Sequence, residues 1–384
     1  MIVGVLKEPA PESRVSLLAE QVTRLVKNGI QVLVEKDAGK NAYCPDQDYQ
    51  TAGAVIKSRD EVIAGVDVIL AIHYFPLPET VKRKVLIGVY QPLYHAEEIS
   101  RWAAANHTVF SMDMLPRTTR AQVMDVLSSQ SNVAGYGAFL LAAARYPRYV
   151  PMLMTAAGSV RPATLLVLGA GVAGLQAIAT GNRLGAVVEA FDTRPAVKEE
   201  VESLGARFIE VEGAQDAASA GGYAVEQSAG FQQRQKAKIA ECIQRADIVI
   251  STAQIFGKKA PVLVTREMIA TMKPGSVIVD IAASTGGNTE LTQKGKDVIT
   301  DNRVTIIGNS DIPSCFPSDS SKLYGNNIYN FLKLITDGKG QLNLNFADDL
   351  VAGTCMAKEG KVVNERVIAL LKPDAQPIIH PTKN

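Results

Sequence analysis

Six contiguous residues, Gly169-Ala170-Gly171-Val172-Ala173-Gly174, have the types and spacing to hold a pyrophosphate. They follow an apolar run, 165–168, and open a helix-spaced stretch, 172–184. In such a fingerprint the first glycine permits a tight turn. The second lets a phosphate approach the backbone, and the third lets helix pack closely on strand. Free N–H groups and the helix dipole then favour an anion at the helix N-terminus. A glycine turn that merely joins strand to helix is the bland alternative; the flanking strand and helix that the fingerprint requires weigh against it. Asp192 ends the next apolar run, 187–191, about 20 residues on, where an acid accepts bonds from the adenosine ribose hydroxyls. A carboxylate there repels a 2′-phosphate, so NAD(H) is expected rather than NADP(H). Beyond Thr193, Arg194 pulls the other way, because a nearby arginine can pair with that phosphate.

A second polar constellation spans 116–132, Pro-Arg-Thr-Thr-Arg-Ala-Gln-Val-Met-Asp followed by Val-Leu-Ser-Ser-Gln-Ser-Asn. Arg117 and Asp125 could bracket a polar ligand. Gln122 and Asp125 are three apart, so on a helix they share a face. A solvated helix start with an amide-rich turn accounts for the same residue types and stays open.

The elements that position these groups follow from pattern. A chain of 384 residues accommodates two domains of about 100–200 residues each. Net charge is +1, with acids and bases interleaved, so neither nucleic acid nor an anionic membrane surface is an expected partner. Cys44, Cys242, Cys315 and Cys355 are scattered, with no clustered histidines. Neither a metal site nor a disulfide framework is expected, and a reducing compartment fits. The uncharged stretch 162–182 is long enough to span a membrane, but its glycines make strand, turn and helix the better reading. The N-terminus reads at once as a strand, without a signal peptide, and a soluble protein is expected.

In the first third, 2–6, 31–34, 68–72, 86–89 and 108–111 read as buried strands, with helices at 18–26 and 96–105. That alternation marks a parallel sheet. After its first strand stands Lys7-Glu8-Pro9 rather than a glycine fingerprint. A second series follows: strands at 165–168, 187–191, 207–211, 248–251 and 277–280, with 304–307 closing the sheet, and helices at 172–184, 196–204 and 231–245. A polar stretch, 212–230, interrupts it, and long loops inside compact domains are usually functional or disordered. A long helix, 320–335, a short strand-and-turn region and a last helix, 364–371, are too little to fold alone. They are expected to return to the first domain. The expected architecture is α/β: two Rossmann-like domains with parallel sheets, 1–134 with 318–384, and 135–317 inserted and joined by long helices near 135–145 and 320–335.

The loop 116–132, the fingerprint, Gln176-Ala177-Ile178-Ala179-Thr180, Glu202-Ser203-Leu204-Gly205, Ala220-Gly221-Gly222-Tyr223-Ala224 and Lys273-Pro274-Gly275-Ser276-Val277-Ile278 together closely resemble the NAD(H)-binding component of proton-translocating transhydrogenases. The resemblance runs nearly end to end. It implies hydride transfer between NADH and NADP⁺ bound on a partner domain, coupled to proton movement through a membrane-spanning subunit. It also implies a homodimer, cytoplasmic and held at the inner membrane through its partners. Because the chain stops near Asn384, it looks like the version in which this component is a separate polypeptide. Arg117, Asp125 and Ser128 match residues that orient the dihydronicotinamide, and Gln122 one that reaches toward the partner's nucleotide. Tyr223, beside Gly222, matches the tip of a mobile loop over the nucleotide. Gln235 and the turn 252–254 match nucleotide contacts, although Gln254 stands where an apolar residue is expected.

Alanine dehydrogenase shares this resemblance and is the rival reading. Its oxidation of an amine needs groups that move protons. Its relatives place a lysine, a histidine and an acid where this chain has Ala71-Ile72-His73-Tyr74, Tyr90-Gln91-Pro92 and Ala282-Ala283-Ser284. Arg14 stands where a substrate-carboxylate arginine would sit. His73 and His95 have no evident acid partner in the sequence, so surface or packing roles are expected. Transfer between two nicotinamides needs no metal or base, only two ring carbons brought close and water kept out. A third reading, a non-enzymatic NAD-sensing module, would keep the fingerprint and lose the Arg117–Asp125 loop.

Overall fold

The computed structural model describes residues 1–213 and 228–371. The chain forms two compact units, Met1–Gln130 with the chain from Pro313 onward, and Ser131–Ile312.

Among the described residues, the first unit has an eight-stranded sheet. Its order is Lys361–Val362, Cys355–Lys358, Thr108–Ser111, Val85–Gly88, Val68–Leu70, Ile2–Val5, Gln31–Glu35 and Val55–Lys57. The six strands from Thr108–Ser111 to Val55–Lys57 pair in parallel. Val68–Leu70 and Val85–Gly88 are buried at every position, as expected where helices cover both faces. The returning chain adds Cys355–Lys358 antiparallel to Thr108–Ser111. Sequence pattern misses the edge strand Val55–Lys57, which has three residues and none fully buried. The long helix runs Pro317–Leu334, starting at a proline whose fixed φ suits a first turn. Its Phe331 meets Phe110 edge-on at 5.3 Å in the core.

The second unit's sheet runs Arg207–Phe208, Val187–Phe191, Thr164–Leu168, Ile248–Ser251, Val277–Asp280, Thr305–Ile307 and Asp297–Ile299. The run 304–307 does not close this sheet: Asp297–Ile299 pairs antiparallel outside Thr305–Ile307. Sequence pattern misses that edge because its ends are exposed, Ile299 by 72%. The strand expected over 207–211 is only Arg207–Phe208. Thr164–Leu168 lies between Val187–Phe191 and Ile248–Ser251, so the winding reverses there. The carboxyl ends of those central strands form the switch point where doubly wound sheets take ligands.

The helix Val126–Arg145 starts before the boundary between the units and continues past it. Within the second unit its Gly135 lies against the helix Val172–Arg183, where a Cβ would come 2.0 Å from the Ala173 carbonyl oxygen.

One acid in the first unit's core is placed against its own charge. Asp113 follows the strand Thr108–Ser111 and accepts a 2.5 Å bond from Ser111 Oγ, which itself accepts from the Tyr90 N–H. Burial pushes the Asp113 carboxyl up to about 6, and the Ser111 bond offsets only part of that. An unfolded aspartate titrates near 3.9. The folded state therefore holds the proton longer, and this group's contribution to stability falls as pH rises from about 4 to 6. Asp113→Asn should abolish that loss. Its stability relative to wild type should grow by ~1–3 kcal/mol between pH 4.5 and 7.5, measured by urea unfolding. A difference that is the same at both pH values would mean that Asp113 titrates as an ordinary aspartate.

Candidate functional site

The three fingerprint glycines have separable reasons. Gly169 takes φ +102°, and a Cβ there would lie 2.7 Å from Thr252 Oγ1. That hydroxyl donates to the Gly169 carbonyl at 3.0 Å, tying the fingerprint to the turn after Ile248–Ser251. At Gly174 a Cβ would sit 1.8 Å from the same carbonyl oxygen. Gly171 differs: it precedes the helix Val172–Arg183, and a Cβ on it would meet nothing within 4 Å. The first and third glycines are required by the fold; the second leaves open space at a helix N-terminus. Ala170 is buried behind that space and Val172 is partly exposed at the helix start.

Asp192 follows the strand Val187–Phe191. Its Oδ2 accepts from the Ala170 N–H at 2.8 Å, so it holds the fingerprint turn. Its Oδ1 accepts from the Arg194 N–H at 2.8 Å and from Nε at 2.9 Å, while Arg194 Nη2 reaches Oδ2 at 2.8 Å. These bonds raise the Arg194 guanidinium pKa against the opposing effect of burial. The two residues that argue in opposite directions in the sequence are thus one ion pair, with Thr193 half-buried between them. Gln235 is buried on the helix Ala229–Arg245, whereas Gln254 is exposed past Thr252. Gly222 and Tyr223 lie outside the described residues.

Sequence reasoning misses the support beneath the Thr252 turn. Asn288 Oδ1 accepts from Ser251 Oγ at 2.6 Å and the Ala253 N–H at 3.1 Å, and its Nδ2 donates to the Ala253 and Pro261 carbonyls at 2.8 Å each. Asp280 holds the Asn288 N–H at 2.6 Å and Thr292 Oγ1 at 2.6 Å. Burial raises the Asp280 carboxyl pKa, and these bonds counter it. The available signal is an acid ending an apolar strand, with Gly286-Gly287-Asn288 shortly after it.

In the first unit, Thr119–Met124 forms a 3-10 helix. Ala121 and Met124, three apart, are buried and anchor it, as its three-residue period dictates. Arg117 and Gln122 are exposed. The expectation that Gln122 and Asp125 share a helical face needs correction. Asp125 leaves the 3-10 helix in extended conformation and caps the next helix instead. Its Oδ1 accepts from the Ser128 N–H at 2.9 Å, and its Oδ2 from Ser128 Oγ at 2.6 Å.

The histidines also need correction, because both meet acids. His73 Nε2 lies 2.8 Å from Glu12 Oε2, and His95 Nδ1 lies 4.0 Å from Glu98. Arg14 forks onto Glu12 at 2.9 and 2.6 Å and donates to Gln130 at 2.7 Å. Burial works against charge on Glu12, but Arg14 and His73 outweigh it and hold the carboxyl far below its usual range. Glu8 caps the neighbouring strand end, accepting from the Ile72 and His73 N–H groups. The groups at this sheet edge thus satisfy one another. Among the described residues no cluster of three metal-binding side chains occurs, and no helix is long and apolar enough to cross a membrane.

Residues 4–134 match the N-terminal domain, and residues 138–365 the C-terminal domain, of the alanine dehydrogenase/PNT family. In Rickettsia prowazekii, the separate chain that forms the first portion of the NAD(P) transhydrogenase alpha subunit is 44% identical over 94% of this chain and 96% of its own length. The subunit alpha of Haemophilus influenzae is 42% identical over 98% of this chain and 74% of its own length. An alanine dehydrogenase of Staphylococcus saprophyticus is 31% identical over 77% of this chain and 75% of its own length. The solved transhydrogenase of Sinorhizobium meliloti superposes with a TM-score of 0.86 at 44% identity, covering 94% of this chain and all of that one. A solved L-alanine dehydrogenase shares the fold, with a TM-score of 0.79 at 24% identity over 96% of this chain and 98% of its own. With both domains matched and identities of this size along nearly its whole length, the chain belongs to the alanine dehydrogenase/PNT family and, within it, to the NAD(P) transhydrogenase alpha subunits.

Proposed function

We propose that this chain binds NAD(H) and passes hydride to or from NADP(H) on a partner component, in a transhydrogenase that couples the exchange to proton translocation by a membrane-spanning subunit. The observation that carries the reading is Gly171. It leaves open backbone at a helix N-terminus, at the sheet's switch point, between two glycines whose Cβ positions the fold itself occupies. Backbone N–H groups at that helix start suit a pyrophosphate. Bound NAD(H) supplies the ring carbon that gives or takes hydride. The chain's own residues orient and exclude water: Arg117, Asp125 and Ser128 on the nicotinamide, Gln122 toward the partner's nucleotide, and Tyr223 with Gly222 as a cover. Gln235, Thr252 and Gln254 are assigned to the rest of the nucleotide. None is required to act as acid or base. A homodimer, located in the cytoplasm and held at the inner membrane through its partners, completes the proposal. Nucleic acid has no place in it. The hairpin Leu153–Thr155 with Gly158–Val160, beside the exposed Met152 and Met154, offers apolar surface for such a dimer.

Alanine dehydrogenase is the competing reading, supported by the 31% identical relative. Against it, Arg14 and His73 are already committed to Glu12. Mixed with an NADP(H)-binding transhydrogenase component, the chain should exchange hydride between NADH and an NADP⁺ analogue, followed by absorbance. It should give no steady turnover of alanine with NAD⁺. Alanine turnover without hydride exchange would overturn the proposal.

Preference for NAD(H) should depend on Asp192 through two routes, ribose contact and the bond to the Ala170 N–H. Asp192→Ala should weaken NADH binding by about 10-fold, the scale of a lost charged hydrogen bond, and narrow the preference over NADPH. Equilibrium dialysis showing equal wild-type affinity for NADH and NADPH would defeat this assignment.

A further inference from the structure

We infer that Asn327, on the long helix Pro317–Leu334, is a positioning residue for hydride transfer, fixing from behind the peptide that carries Gln122. The inference rests on the proposed function and names a residue outside the loop. Its basis is a single carbonyl. Val123 O accepts from Asn327 Nδ2 at 2.9 Å and from Asn330 Nδ2 at 3.2 Å. The two asparagines are three apart, so they share one face of their helix. Asn327 Oδ1 in turn accepts from Ser129 Oγ at 2.7 Å. That pairing fixes which way round the amide stands, since its oxygen meets a hydroxyl and its nitrogen a carbonyl.

One side chain thus binds the chain on both sides of Asp125. Ser129 follows Ser128, the residue that Asp125 caps, and its N–H bonds the Asp125 carbonyl at 3.2 Å. Val123 follows Gln122 and is 59% exposed. At that residue the carbonyl, not an apolar side chain, holds the 3-10 helix in place. Asn327 itself is 7% exposed, so its bonds are shielded from competing water. A second helix steadies the start of the same loop. Arg120 pairs with Asp348 at 2.6 and 2.9 Å and also with Asp349. Pro116 packs so closely on Gly353 that a Cβ there would approach it to 2.4 Å. Short 3-10 segments have poor internal hydrogen-bond geometry, so external clamps decide where their exposed residues stand. For a reaction whose demand is geometric, small displacements of an orienting group are costly.

Asn327→Asp tests this. It keeps the volume and the acceptor for Ser129 but loses the donor to Val123. Asn330→Ala removes the second donor alone and serves as the test should Asn327→Asp fail to fold. The first turnover from NADH to an NADP⁺ analogue on the partner component should slow by about 10-fold in Asn327→Asp. Asn330→Ala should slow it by a smaller factor. NADH affinity, by equilibrium dialysis, should stay within about 2-fold, the signature of an interaction that does not act in ground-state binding. Hydrogen exchange at residues 121–125 should quicken without nucleotide present. Transfer within about 2-fold of wild type in every variant that folds would overturn the inference, even if the melting temperature fell, because that is what a merely structural amide would do. Gln122→Asn is run beside them. If it slows transfer while the asparagine variants do not, the positioning role alone fails. If wild type transfers no hydride, or Gln122→Asn transfers at the wild-type rate, the functional reading of the loop fails and the positioning role falls with it.

Discussion

The Gly169 carbonyl oxygen occupies the space where residue 174 would otherwise carry a Cβ, 1.8 Å away. Everything at the nucleotide end of the second unit depends on that approach. It presses the start of the helix Val172–Arg183 onto the end of the strand Thr164–Leu168. It lets Thr252 Oγ1 reach the same carbonyl from the neighbouring strand. The turn that carries Thr252 is then held by Asn288, and Asn288 by Asp280, so a buried polar ladder runs from the strand Val277–Asp280 to the fingerprint. Buried polar groups in such ladders are satisfied nearly completely, and one broken rung leaves the others exposed to the full cost of desolvation. The open face at Gly171 is rigid because everything behind it is closed.

The first unit spends its polar residues differently. Glu8, Glu12, Arg14, His73 and Gln130 meet at the ends of its strands and satisfy one another. Buried charges need such partners to persist. A group so engaged is poorly placed to shuttle a proton to a substrate. The chemistry assigned to this protein asks for no such shuttle, which is consistent with a cluster that is closed and a loop that is exposed but clamped.

What is legible in the sequence is local. The fingerprint is six contiguous residues, and its strand and helix flank it directly, so its type, place and rationale can be read. The apolar runs of the central strands are legible for the same reason. Strands at the edges are not: Val55–Lys57 and Asp297–Ile299 lack continuous burial, which is the only signal a short strand has. Partnerships made by the fold are also hidden. Glu12 and His73 are 61 residues apart, and Asn327 and Val123 are 204 apart. Asp192 and Arg194 are near neighbours, yet their types alone suggest competition rather than pairing. Residue types give their separate affinities for a phosphate, and only the side-chain geometry shows that each satisfies the other first.

Asp125 shows why a structural and a functional reading of one residue need not exclude each other. Each of its carboxylate oxygens takes one bond, from the Ser128 N–H and from Ser128 Oγ. A carboxylate has about four lone-pair sites, so capping uses only part of its capacity. The cap also fixes it to the end of a 20-residue helix, Val126–Arg145. A free surface carboxylate would sample several rotamers and lose that freedom on meeting a ligand. This one has lost it already, in folding. Orientation is the work that hydride transfer between two bound nucleotides demands, and side chains locked by surrounding bonds perform it best. The same two bonds that make Asp125 look like an ordinary helix cap are therefore the ones that would make it useful beside a nicotinamide.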